Sequence, residues 1–493
     1  MLYPGCGDTV RGYITSFRRK AVFFVGRSAF SLIRAGSRAD RFFTRLWGSE
    51  LFTYRQVFGM LIPLILDQLS INLISVLATS MISASSQESV SAVSLVNPAI
   101  MLITALYGAI ASGGAVIVAQ YKGRGDEERV RLSAGQSMLA IFSAALLCSV
   151  LLIAGARPLL GLLYRGLDPA VMEKAVGYMR GFSCSLAPYS IYAAAFAAFR
   201  GAGATKVCMG MSITMNAIYL LASILFLNVL KLDITGTALA YNVARIIGAA
   251  MSLVLITRPG GAICIGLRHV LTVSRPILRS IARLAVPFAV EQIFFNGGTL
   301  LAQTYMVQLG ALAVAANAVG NSAFLMLYCT GTAVANLTIT LVGQCVGRGD
   351  RQLARQYARG MLLLGTLASL ASIALFLPLM NGILSLYAPP EETLSLVRRL
   401  LYIAMAGLPL FWALSNVLPN ALRAAGDAGF TTAVSLVSLW AVRVGLGYVL
   451  ALPLGLGVSG VWVAMVLEWA ARGLVFLLRY RGEAWLSKKT LEE

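Results

Sequence analysis

Two carboxylates each stand one helical turn after a proline, inside apolar runs long enough to cross a bilayer. Asp67 lies in Pro63-Leu64-Ile65-Leu66-Asp67-Gln68, and Glu291 lies in Pro287-Phe288-Ala289-Val290-Glu291-Gln292, 224 residues later. An ionised carboxylate at the centre of a membrane helix costs about 3 kcal/mol and is seldom kept there without a partner or a task. The proline removes a backbone donor and frees a carbonyl that neighbours or water must satisfy. The chemistry such a group offers is cation chemistry, the binding and release of a proton or metal ion along a pathway. The competing role is structural, with Asn72 and Asn296 capping the acids so that they hold helices together. For one acid the two readings stand level; two acids in matching places favour a pathway.

The elements that must position these acids are membrane spans. At 493 residues, with 58% hydrophobic and 12% charged residues and a mean hydropathy of +0.79, the chain would expose too much apolar surface as a soluble protein. It reads as an all-α polytopic membrane protein. Twelve spans are expected at 55–82, 90–119, 132–155, 173–199, 207–230, 236–257, 280–308, 312–342, 357–381, 393–421, 428–452 and 457–479. The net charge of +20 does not point to nucleic acid, because the basic residues are parcelled out between apolar spans rather than gathered in one stripe. Most fall on one side; Arg157, Arg165, Lys174, Arg180, Lys231, Arg398 and Arg399 are the outer exceptions. By the positive-inside rule both termini are cytoplasmic, in a cell (inner or plasma) membrane.

The chain repeats itself. Gln120-x-x-Gly123-Arg124-Gly125-Asp126 recurs as Gln344-x-x-Gly347-Arg348-Gly349-Asp350, Asn97 matches Asn321, and Arg200-x-x-Gly203 recurs as Arg423-x-x-Gly426. An internal duplication of six spans per half follows. The expected organisation is a basic tail (1–49), a first six-helix lobe (50–257), a cytoplasmic linker (258–279), a second lobe (280–482) and a short tail (483–493). The first tail carries nine basic residues from Arg11 to Arg45, and Lys20 to Trp47 suits an amphipathic helix on anionic lipid or a disordered anchor. The two Gly-Arg-Gly-Asp stretches are not Walker loops; each reads as a tight turn whose aspartate caps the next helix.

Other chemistries find no support. The seven cysteines include no Cys-x-x-Cys pair and sit mostly in apolar runs, so neither a disulfide framework nor a metal site is expected. The single histidine, His269, reads as an exposed, inert residue of the basic linker. Without a paired nucleophile there is no catalytic constellation, no cofactor is called for, and the chain reads as no enzyme.

With its duplicated halves, its Pro-x-x-x-Asp/Glu-Gln openings, Ala92-Val93-Ser94-Leu95-Val96-Asn97, the paired Gln-x-x-Gly-x-Gly-Asp turns and Arg200-Gly201-Ala202-Gly203, the chain resembles the multidrug and toxic compound extrusion (MATE) family over roughly residues 51 to 482. The resemblance implies two six-helix lobes related by a pseudo-twofold axis, a central cleft, and export of organic compounds, small cations and drugs, driven by inward movement of Na⁺ or H⁺. Two departures bear on the site. Where many members carry an aspartate four turns after the first proline this chain has Leu77-Ala78-Thr79, and Asn216 is followed by Leu220 rather than by an aspartate. The resemblance therefore leaves coupling to Glu291, its principal candidate, and to Asp67.

Candidate cleft residues are Gln68, Asn72 and Asn97 in the first half and Gln292, Asn296, Gln303, Asn317 and Asn321 in the second, polar groups among Met and aromatic residues suited to promiscuous binding. Each could equally be an interhelical hydrogen bond. Glu468 with Arg472 at i+4 reads as a structural ion pair. The competing functions are a flippase for lipid-linked saccharides, which would need a cationic cleft, and a channel or membrane enzyme. The chain reads as a monomer in contact with membrane lipids.

Overall fold

The computed structural model describes residues 37–47, 51–83, 86–164, 168–385, 387, 390–488 and 491. Most of the expected N-terminal tail lies outside them. The described residues fall into two compact units, divided between Ile62 and Pro63. In the first, helix α1 (Arg38–Trp47) packs Phe43 against Trp47 and Phe58, with ring centroids 5.7 and 5.3 Å apart, and Trp47 is fully buried.

The long helices follow hydropathy: α2 (Tyr54–Ser83), α3 (Gln87–Arg124), α4 (Glu127–Leu163), α5 (Pro169–Cys184), α6 (Leu186–Gly201), α7 (Thr205–Val229) and α8 (Asp233–Thr257) in the first half. After the short α9 (Leu267–Leu271) come α10 (Arg275–Gln308), α11 (Ala311–Gly347), α12 (Arg351–Ser385), α13 (Glu391–Ala424), α14 (Ala428–Ala451) and α15 (Gly457–Arg481). Among the described residues eleven helices are long and apolar enough to cross a membrane, and α5 with α6, bent by 43° at Ser185, bring the count to twelve when the pair is taken as one span. The fold is all helical among the described residues, in two lobes.

The lobes pack along their central helices into one unit. In α11 67% of the most apolar window is buried against 22% in α4, so α11 is interior while α4 turns a broad face to lipid. Where α3 and α11 cross, Gly123 leaves no room for a Cβ against the Gln344 carbonyl, and Gly347 leaves none against that of Gln120. The glycines of the repeated motif are thus needed for contact as well as for turning. Gly125 and Gly349 take φ +78° and +82° at the turns themselves.

Asp126 accepts from the Arg129 amide at 3.0 Å and Asp350 from the Leu353 amide at 2.9 Å, so both aspartates cap the following helix as the sequence suggests. Losing such a cap costs about 1 kcal/mol. Asp126→Ala and Asp350→Ala should each lower the melting temperature of the purified protein and its folded yield, with substrate selectivity unchanged. Binding of a nucleotide at either turn would overturn the assignment.

The linker departs from expectation at His269, which is buried rather than exposed. Gln136 on α4 donates to the carbonyls of His269 and Thr272 at 3.1 and 2.9 Å and accepts from the Ser274 amide at 3.0 Å. The imidazole is drawn in with the backbone, Nε2 lying 3.3 Å from Glu128. A partner on a different helix fixes the linker, and no local pattern announces it.

Candidate functional site

Pro63 sits inside α2, and one turn later Asp67 is only 2% exposed. Its carboxylate receives one long hydrogen bond, from Gln68 Nε2 to Oδ2 at 3.5 Å, and Oδ1 is buried without a hydrogen-bond partner. Ser212 on α7 and Arg200, at the end of α6, are close enough to act on it electrostatically. Asp67, Ser212 and Arg200 share the wall of a cavity of about 680 Å³ built almost wholly by the first half.

The cavity is aromatic. Tyr107 from α3, Tyr189, Tyr192 and Phe196 from α6, Tyr219 from α7 and Tyr241 from α8 face it. Tyr219 and Tyr241 stack with centroids 4.5 Å apart. Arg245 on α8 is held within this shell: its guanidinium carbon is 4.5 Å from the rings of Phe182 and Tyr189 and 4.9 Å from that of Tyr241, while Nη1 donates to Ser185 Oγ at 2.6 Å. Tyr107 is buried and its hydroxyl has no hydrogen-bond partner. A site of this kind can bind a flat amphipathic molecule by stacking and cation–π contact, with one carboxylate and two guanidiniums setting its charge.

Glu291 occupies the equivalent position on α10 but in a different state. Arg423 Nη2 donates to its Oε2 at 2.6 Å, and Thr432 donates to the same oxygen at 3.2 Å. Arg423 also stacks over Phe288, one turn earlier, at 4.8 Å. The side chains of Glu291 and Arg423 are 11% and 14% exposed, so the pair is close to fully desolvated. Glu291 is therefore compensated in place; Asp67 is not.

The remaining candidates divide. Gln68 and Asn97 line the cavity with Asp67, and Asn72, half-buried on the same helix as Gln68, does not. Asn296 donates to the Gln292 carbonyl on its own helix at 2.8 Å, and Asn317 accepts from Trp462 Nε1 at 3.0 Å, an interhelical bond. Gln303 and Asn321 are exposed. Glu468 is fully buried, with Arg472 Nη1 at 3.2 Å and Arg443 Nη1 at 3.9 Å. Among the described residues no group of three metal-ligating side chains comes together.

The partners that sequence reading missed are Arg200, Arg423 and Arg245. The first two stood in the repeated Arg-x-x-Gly motif, and their matching offset from the acids was the available signal. Arg245 stood out only as one of three arginines, with Arg443 and Arg472, inside the expected spans; its aromatic shell, assembled from α5, α6 and α8, had no local sign.

A family model described as MatE matches residues 63–225 and again 287–449, one match per half. An uncharacterized transporter of Bacillus subtilis, YisQ, is 25% identical over 419 residues, covering 83% of this chain and 90% of the relative. A probable multidrug resistance protein, NorM, of Thermotoga maritima is 24% identical over 429 residues, covering 84% and 89%. Among solved structures, an outward-facing multidrug resistance MATE transporter of the MOP superfamily superposes with a TM-score of 0.79 at 18% identity over 87% of this chain and 95% of the other. A MOP superfamily transporter from Pyrococcus furiosus gives 0.79 at 18% identity, covering 88% and 97%. At that identity the superpositions establish the fold.

Proposed function

The chain belongs to the MatE family, whose members are transporters rather than enzymes, and from that premise we propose that it is a secondary active antiporter. It exports amphipathic, cationic organic compounds in exchange for H⁺ or Na⁺ by alternating access, with both termini in the cytoplasm. Asp67 carries the coupling. The observation behind this reading is the buried carboxylate oxygen without a partner, on the wall of a tyrosine-rich cavity. A carboxylate there is stabilised either by the coupling cation or by a cationic substrate but not by both at once, which gives exchange an electrostatic origin. Glu291, already satisfied by Arg423 and Thr432, contributes the same unit in its closed form. The relatives named as multidrug resistance proteins support the substrate class.

The experiment is efflux from vesicles loaded with a cationic dye, under an imposed pH gradient or an imposed Na⁺ gradient. Efflux should collapse with a protonophore or with removal of sodium, whichever ion couples. Efflux indifferent to both gradients would end this reading.

One observation favours a second substrate. Arg200 and Arg245 outnumber Asp67 in the cavity, so an amphipathic anion, such as the pyrophosphate headgroup of a lipid-linked saccharide, would also find a complementary charge there. Two xanthene dyes of the same ring system, one cationic and one anionic, separate the alternatives: competition for transport by the cationic dye supports export of cations, and competition by the anionic dye alone supports the flippase.

A further inference from the structure

The end of the bundle that carries the two Gly-Arg-Gly-Asp turns is held by a crossed pair of glutamines. Gln344 on α11, in the second half, donates from Nε2 to the carbonyl of Gly201 in the first half at 3.2 Å, and Thr340 one turn earlier donates to the carbonyl of Arg200 at 2.8 Å. Gln120 on α3, in the first half, donates to the carbonyl of Ala424 in the second at 2.7 Å. Both glutamines are buried, Gln120 1% and Gln344 7% exposed. A buried amide that loses its acceptor has no water to replace it, so these bonds persist only while the two halves stay closed against each other here.

The carbonyls that the glutamines grip belong to a particular place. Gly201 follows Arg200 and Ala424 follows Arg423, and the side chains of those two arginines are the cations that face Asp67 and Glu291. Glu291 is thus joined, through one arginine side chain and one peptide unit, to a hydrogen bond from the opposite half, and Asp67 shares a cavity wall with the corresponding arginine without a bond to it. The two halves show the unit in two states. In the second, Arg423 is bonded to Glu291 at 2.6 Å; in the first, the Arg200 Nε and the Asp67 Oδ1 are both buried without hydrogen-bond partners.

We propose that Gln120 and Gln344 are positioning residues of the transport cycle, a crossed latch that closes the halves at this end, and that Arg200 and Arg423 are the levers that tie it to the charge on Asp67 and Glu291. While an acid is ionised it draws its arginine and seats the helix end beneath the glutamine. When a cation neutralises the acid, the arginine is released and the helix end loosens, which biases the halves to part. The duplication supplies the two-state element that coupling between distant sites requires. The lever rests on the proposed coupling role of Asp67, whereas the latch stands without it.

The test is amide hydrogen exchange on the purified full chain at one pH. The reporting amides are those of Gly203 and Ala204, bonded to the carbonyls of Arg200 and Phe199, and those of Gly426 and Asp427, bonded to the carbonyls of Arg423 and Leu422. Gln344→Met, which keeps volume but removes the donor, should speed exchange about tenfold at 203–204 and leave 426–427 unchanged; Gln120→Met should do the reverse. Should either variant fold poorly, Gln344→Asn and Gln120→Asn give the same crosswise reading with a shortened donor. Asp67→Asn should loosen 203–204 as Gln344→Met does, with no further increase in the double variant. Exchange that rises only on the mutated helix, or equally at both ends, would overturn the latch. Loosening by Gln344→Met but none by Asp67→Asn would overturn the lever while leaving the antiporter reading to the vesicle assay.

Discussion

Asp67→Asn should abolish gradient-driven export while leaving the melting temperature of the purified protein within the range of a 1 kcal/mol change, about 1 °C for a chain of this length. The reason lies in what Asp67 lacks. An ionised carboxylate that is 2% exposed, with one oxygen unpartnered and a long 3.5 Å contact to the other, is costly to bury, so converting it to a neutral amide of the same shape removes a cost as well as an interaction. A group retained on those terms is retained for its charge change. Downhill movement of substrate through the cavity should survive, since the tyrosines, Gln68 and Asn97 are untouched. The check is efflux and thermal stability on one preparation: full coupled efflux by the variant, or unfolding without specific loss of coupling, would place Asp67 among the structural residues.

Glu291→Gln should produce the opposite pattern of symptoms. Arg423 would be left as a buried guanidinium with its strongest partner gone, and breaking a desolvated pair from one side costs about 3–5 kcal/mol, more than removing both partners together. The melting temperature should fall by about 3–5 °C for a chain of this size, and the Glu291→Gln, Arg423→Met double variant should recover much of that loss, because Met fills the space over Phe288 without a charge. A non-additive cycle of this kind distinguishes a pair from two independent contributions. If Glu291→Gln instead folds as well as the parent and loses coupling, the second half carries the coupling ion.

The sequence carried the scaffold because membrane insertion depends on summed hydropathy, which survives any detail of packing. All twelve expected spans correspond to helices, and the capping aspartates were legible because Asp126 and Asp350 act three residues away on their own turns. The bend at Ser185 was less visible; Pro188 just beyond it was the available sign. The site was legible in its acids and opaque in their partners. The Glu291–Arg423 pair spans 132 residues, and Gln136 fixes His269 from 133 residues away. Such pairings depend on how helices cross, which neither periodicity nor composition encodes. Nor did residue type separate Asp67 from Glu291: both are acids one turn after a proline, and only the presence of Arg423 at one and the open cavity at the other tells them apart.

The most direct measurement needs no membrane. In weakly buffered detergent solution, adding a transported dye to the purified protein should displace the coupling cation, read as proton release by a pH indicator or as loss of bound radioactive sodium. The account predicts release from the parent protein, release from the stabilised Glu291→Gln, Arg423→Met variant, and none from Asp67→Asn, although dye still binds. Undiminished cation release by Asp67→Asn would contradict the assignment of coupling to the open carboxylate.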